Sequence, residues 1–185
     1  MRRFTIAALL AMLMLVLSVS AAFASSPHFI SASASVNSSG SLVATFKEAG
    51  LGTTVTTESI TLNATASALY ACINGGGKHP SAANKETVTA PVSNTGAFPV
   101  RNGQTTGSIS VGPPGPGSFS CPSGQKLVLI SVSYTDVTLT GLAGDTANIP
   151  GTFSRCINNV AGLCSCYCEV TKSIPGRFSR TFFNA

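Results

Sequence analysis

An antiparallel all-β sandwich of immunoglobulin-like architecture is the fold this sequence predicts, and three observations predict it. Apolar residues alternate with Ser, Thr and Asn at period two over long stretches, and no segment after the N-terminal apolar run repeats its apolar residues at helical spacing. Asn-Gly, Gly-Gly and Pro-rich turns also punctuate the chain at short intervals, as seven to nine short strands require. Period two sends successive side chains to opposite faces, so each such stretch buries one face and shows hydroxyls to water on the other. A small closed barrel is the alternative that the same signals allow.

The longest alternation runs from Ile60 to Cys72, where every even position is apolar and Thr61, Asn63, Thr65 and Ser67 fill odd ones. Ile30, Ala32, Ala34 and Val36 alternate with serines, and Leu42, Ala44 and Phe46 with Val43, Thr45 and Lys47. The intervening Asn37-Ser38-Ser39-Gly40 is a turn sequence, so these two stretches form a hairpin. Further strands are expected at Thr87 to Ser93, Ala97 to Arg101 and Ser108 to Val111.

Lys126 to Tyr134 is the most apolar run after residue 24 and reads as a central strand. Val128, Ile130, Val132 and Tyr134 fall on one face, Leu127 and Leu129 on the other. After Thr135-Asp136 the apolar parity flips to Val137 and Leu139, which signals a bulge or a corner where the strand changes sheets. The stiff Gly112 to Gly117 stretch, GPPGPG, cannot pair in a sheet and is expected to cross between the layers. Asn74 to Pro80, NGGGKHP, reads as a mobile loop. A true immunoglobulin domain would set a Trp against its disulfide, and the chain has none.

Residues 1–24 stand apart from the fold. Arg2 and Arg3, the apolar run Ile6 to Val19 and the small-x-small triplet Ala22-Phe23-Ala24 occur in the order of a secretory signal peptide cleaved after Ala24. Cleavage leaves residues 25–185 with no stable membrane span, and losing the two arginines takes the formal charge from +5 to +3. That charge is scattered, which argues against nucleic acid as a partner, because phosphate binding needs clustered basic groups.

Export fixes the reading of the six cysteines. Cys72 ends the longest alternation and Cys121 precedes the central strand, so in an oxidising compartment they are expected to be bonded, stabilising the fold by roughly 3 to 4 kcal/mol. Cys156, Cys164, Cys166 and Cys168 crowd near the C-terminus. Four thiolates there suggest zinc or copper, but their spacing fits no closed zinc motif, and local disulfides are the expected state in an exported chain. The cluster lies between two near-copies, Ile149 to Arg155 (IPGTFSR) and Ile174 to Arg180 (IPGRFSR), identical at six of seven positions. The sequence thus divides into a signal peptide (1–24), a β-sandwich (25–155), a Cys-rich insert bounded by the repeat (156–180) and a tail (181–185). A sheet position accepts one strand, so one copy is expected to close the sandwich while Cys156 to Cys168 form an exposed, loosely packed excursion.

Pro27-His28-Phe29-Ile30, the string from Phe46 to Gly52 (FKEAGLG), the string from Tyr70 to Pro80 (YACINGGGKHP) and the string from Phe119 to Gln125 (FSCPSGQ) resemble a set of small secreted bacterial proteins of uncharacterised function. The resemblance spans nearly all of residues 25–185 and implies export and the Cys72, Cys121 pair; it brings no activity and no catalytic residue. Its members end in a single FSR-T-F-F-N tail, which this chain repeats around its Cys-rich insert.

A search for catalytic constellations returns little. Only His28 and His79 are available as bases. His79, with Lys78 and Glu86 in reach along the chain, is the one candidate general base of a secreted hydrolase, against the plain reading of a solvated loop histidine. Asp136, Asp145, Glu48, Glu58, Glu86 and Glu169 are too sparse for their positions to mark a glycosidase pair, and Glu48 reads as a solvated turn charge. Gly75-Gly76-Gly77-Lys78 lacks the spacing and the following Ser or Thr of a phosphate loop. The expectation is therefore a secreted, non-enzymatic module with no cofactor, whose partner is an extracellular protein or envelope component. A sugar ligand is disfavoured by the lack of Trp for stacking.

Overall fold

A computed structural model describes residues 26–75, 84–158, 160 and 164. The expected signal peptide, His79 with Lys78, Cys166, Cys168 and the second FSR copy lie outside the described residues. Among those described there is no helix, and eight strands follow in order: β1 (His28–Val36), β2 (Leu42–Ala49), β3 (Thr57–Ile73), β4 (Lys85–Pro99), β5 (Gln104–Val111), β6 (Lys126–Thr140), β7 (Thr146–Ile149) and β8 (Phe153–Cys156). All pairings are antiparallel. One sheet has the order β1-β2-β5; the other runs β4-β3-β6-β7, with β8 also pairing β6.

The two layers meet on the apolar phase of each alternation. From β2 come Leu42, Ala44 and Phe46; β3 contributes Ile60, Leu62, Ala64, Ala66 and Ala68; β6 adds Val132, Tyr134, Val137 and Leu139. Phe46 packs edge-on against Phe29, with ring centroids 6.2 Å apart, and against Phe98 at 4.9 Å. Phe98 also covers Gly107 of β5, where an added Cβ would sit 2.5 Å from the ring, so only glycine lets β4 and β5 close this side.

The expected β1–β2 hairpin forms. Asn37 Oδ1 accepts from the backbone N–H groups of Ser39 and Ser41, both at 3.0 Å, and Gly40 takes φ +87°. The parity of β1 differs from expectation at its start: a bulge between Phe29 and Ser31 turns Phe29 inward and leaves Ile30 53% exposed. The two strands expected at 87–93 and 97–101 are one strand, β4, which runs through Pro91. This edge position tolerates a residue that cannot donate to the ladder.

The flip at Thr135-Asp136 is a bulge against Asn63–Thr65, with Asp136 at φ 54°; the strand keeps to its own sheet and turns no corner. A second bulge, opposite Leu69–Tyr70, splits the expected single face of β6. Leu127, Leu129, Val132 and Tyr134 line the main core, while Ile130 and Val128 join Ala71 and Val160 in a small apolar cluster on the outer face.

That second cluster revises the picture of the Cys-rich segment. β8 carries the first repeat copy (Phe153, Ser154, Arg155) alongside Ser131 to Tyr134, and the chain continues onto the sheet. Ile157 and Asn158 both donate their N–H to the carbonyl of Ile130, at 2.8 and 3.2 Å. Val160 is buried, and Cys164, bonded to Cys156, packs beside it. At its described residues, 156–158, 160 and 164, this segment is docked and disulfide-tied, because Ile130 and Ala71 leave an apolar patch that needs a cover.

Candidate functional site

The sandwich has two ends with different polar chemistry. At the end where β3 finishes, Cys72 is bonded to Cys121, with Cα atoms 5.6 Å apart, which ties β3 to the loop between β5 and β6. The GPPGPG stretch crosses between the layers there, and the Tyr70 hydroxyl donates to the Pro114 carbonyl at 2.7 Å. Tyr70-Ala71-Cys72 is therefore no tyrosine corner, whose hydroxyl would bond to backbone a few residues upstream. Deeper in, the Tyr134 hydroxyl donates to the Gly40 carbonyl at 2.7 Å, and burial pushes its pKa up to about 12. Glu86, named beside His79, stands exposed on β4 at the register of Tyr70.

At the opposite end, where β3 begins, three carboxyl groups converge. Their placement follows from the strand phase that builds the core. Leu42, Ala44 and Phe46 point inward on β2, and one more step of two delivers Glu48, fully buried. Ile60 and Leu62 point inward on β3, and one step back is Glu58, 3% exposed. Asp145 enters from the turn between β6 and β7, which is closed by Gly141 N–H to the Asp145 carbonyl at 2.9 Å and Gly144 N–H to the Gly141 carbonyl at 3.0 Å. The solvated turn charge expected at Glu48 is thus a core-facing group, misread because the apolar phase was stopped at Phe46.

The three are unequally satisfied. Glu58 Oε1 accepts from the backbone N–H of Leu142 at 2.6 Å. Both oxygens of Glu48 and both of Asp145 are shut from solvent with no hydrogen-bond donor. Burial is the largest influence on Glu48; the charges of Asp145 and Glu58 follow, and together they push its pKa up to about 8. At neutral pH Glu48 accordingly carries its proton. A protonated Glu48 can donate its O–H to Asp145, whereas two buried carboxylates without donors would each carry a large desolvation cost.

This arrangement can store a proton, but it cannot reach a substrate, since the oxygens face protein on all sides. Among the described residues no three His, Cys, Asp or Glu side chains are grouped so as to hold a metal ion. Among the described residues, two shallow hollows lie elsewhere. One, about 350 Å³, sits at the β6 bulge between Thr135, Asp136, Thr138, Asn148 and Pro150; the other, about 420 Å³, lies between Ile73 to Gly75 and Gly124 to Lys126. In the first the Thr135 hydroxyl donates to Asp136 Oδ2 at 3.0 Å, with no His or Cys among the lining residues, and the second is lined by no Ser, Thr, Cys or His. The outer face of the larger sheet is a lattice of hydroxyls, with Thr61 bonded to Thr95 at 2.9 Å and Ser67 to Thr89 at 3.0 Å.

No protein-family model, no curated protein and no solved structure matches the chain. Among the described residues no helix is long and apolar enough to cross a membrane.

Proposed function

We propose that the chain is an exported, non-enzymatic β-sandwich module that acts at or beyond the cell surface by binding an extracellular protein or envelope component. The observation that carries this reading is the Cys72–Cys121 bond, which joins a buried cysteine of a core strand to a crossing loop and suits a chain that folds in an oxidising compartment. A signal peptide over residues 1–24 would deliver it there. The chemistry of the described residues supports binding over catalysis, because its one concentrated set of titratable groups is sealed from solvent.

An immunoglobulin-like sandwich is the finer reading of the fold. The orders β1-β2-β5 and β4-β3-β6-β7 support it, since they match the constant-type immunoglobulin partition except that the fourth strand has moved to the second sheet. Two experiments test the proposal. Expression with export from a bacterial host should release a chain whose N-terminus is Ser25 and whose non-reducing peptide map links Cys72 to Cys121; retention in the cytoplasm with Met1 intact would defeat it. Capture on envelope fractions should survive His79→Ala, whereas a hydrolytic activity abolished by that change would replace binding with catalysis.

A further inference from the structure

We propose that Glu48 and Asp145 share a single proton across the interface between the two sheets, making this end of the sandwich a latch that holds in acid surroundings and loosens in alkaline ones. Glu48 belongs to β2 of the smaller sheet, Asp145 to the β6–β7 turn of the larger, and all four of their carboxyl oxygens lack a donor. One proton resolves the conflict: the Glu48 O–H donates to the Asp145 carboxylate, so one charge remains where two would stand.

The surroundings offer no other remedy. Glu58 faces the pair from β3 and adds a negative charge. Thr105 opposite Glu48 on β5 gives its hydroxyl to the Pro99 carbonyl at 3.1 Å, and Phe29, opposite on β1, is apolar. Lys47 takes the alternate, outward position on β2, and His28 and Arg101 at the same end are exposed. Among the described residues none of these cations pairs with the acids.

Loss of the proton to solvent would leave adjoining buried charges, one on each sheet. The nearest relief is for the turn from Gly141 to Asp145 to swing outward. That turn already shows the most exposed large apolar side chain of the described residues, Leu142 at 76%. Its anchor to β3 is the bond from Leu142 N–H to Glu58. The latch thus couples the protonation of one inward carboxyl to the seating of a surface turn.

The test is thermal unfolding of the full exported chain, disulfides intact, at about pH 5, 7 and 9, with EDTA or with calcium. The unfolding midpoint of the unmodified protein should fall by about 5 °C or more from the acid to the alkaline end, and Glu48→Gln should remove most of that fall. EDTA and calcium should make no difference. A flat or rising profile for the unmodified protein overturns the proposal, whether or not the variant folds. A Glu48→Gln profile as steep as the parent's does so too. A midpoint lowered by EDTA and restored by calcium would make the pair a cation site and would equally overturn it. Asp145→Asn, which leaves an amide to donate to Glu48, gives a second variant with the same expected flattening.

Discussion

Where β3 ends, the buried hydroxyls of Tyr70 and Tyr134 each donate to a backbone carbonyl at 2.7 Å and a disulfide binds the loop above them; where β3 begins, Glu48 and Asp145 bring four buried oxygens and no donor. Both ends arise from the same period-two phase. A phenol can satisfy itself against any nearby carbonyl, whereas an ionised carboxylate can only accept, so the first end is indifferent to pH and the second depends on it. The contrast teaches that an inward polar position is judged by whether its group can donate, not by its size or its place along the strand.

Breaking the satisfied end should cost most. Replacing Cys72 and Cys121 together by Ala removes a crosslink spanning 49 residues, and denaturant unfolding should show a loss of about 4 kcal/mol. Truncating Ile130 to Ala should cost about 2 to 5 kcal/mol, because it empties the small outer cluster and uncovers the seat of Val160; protection of the Ile157 amide against exchange should fall with it. Tyr134→Phe, which strands the Gly40 carbonyl, should cost about 1 to 3 kcal/mol at every pH. At the unsatisfied end Glu48→Gln should have an effect that depends on pH: small in acid, and stabilising by several degrees near pH 9. The smallest change belongs to the outer lattice, where Thr61→Ala should move stability by about 0.5 kcal/mol or less.

The sign of the Glu48 effect follows from its raised pKa. Its unfolded-state value is the ordinary 4.5 and its folded value about 8, so between those limits the folded chain holds a proton that the unfolded chain has released. Stability from this group is therefore full below about 4.5, declines as pH rises toward 8, and is gone above it.

Much of this was legible in the sequence. Period two located six of the eight strands at least in part and the bulge at Thr135-Asp136, the turn residues marked Asn37 to Gly40, and the repeat pointed to β8. The second bulge, at Ile130, was hidden because a run apolar on both faces carries no parity to break: Leu127 to Ile130 reads equally well in either phase. β7 is only four residues long and begins with Thr-Ala-Asn, so it depends on its ladder with Val137 to Thr140 rather than on its own pattern. The docking of Val160 had the same root, since a segment without periodicity gives no hint of what it covers.

The acid pair was half legible. Carrying the inward phase of β2 one step past Phe46 reaches Glu48, and carrying that of β3 one step before Ile60 reaches Glu58, so both glutamates could have been flagged as inward. Asp145 could not have been, because the turn that aims it has no phase, and its position depends on the fold of Gly141 to Gly144.

The most direct measurement is the titration of the Glu48 side-chain carboxyl by carbon NMR in the intact, ¹³C-labelled protein. The account predicts a resonance at the protonated position at pH 6 and a midpoint near 8. A Glu48 carboxyl that is already ionised at pH 6, with a midpoint near the ordinary 4.5, would contradict it.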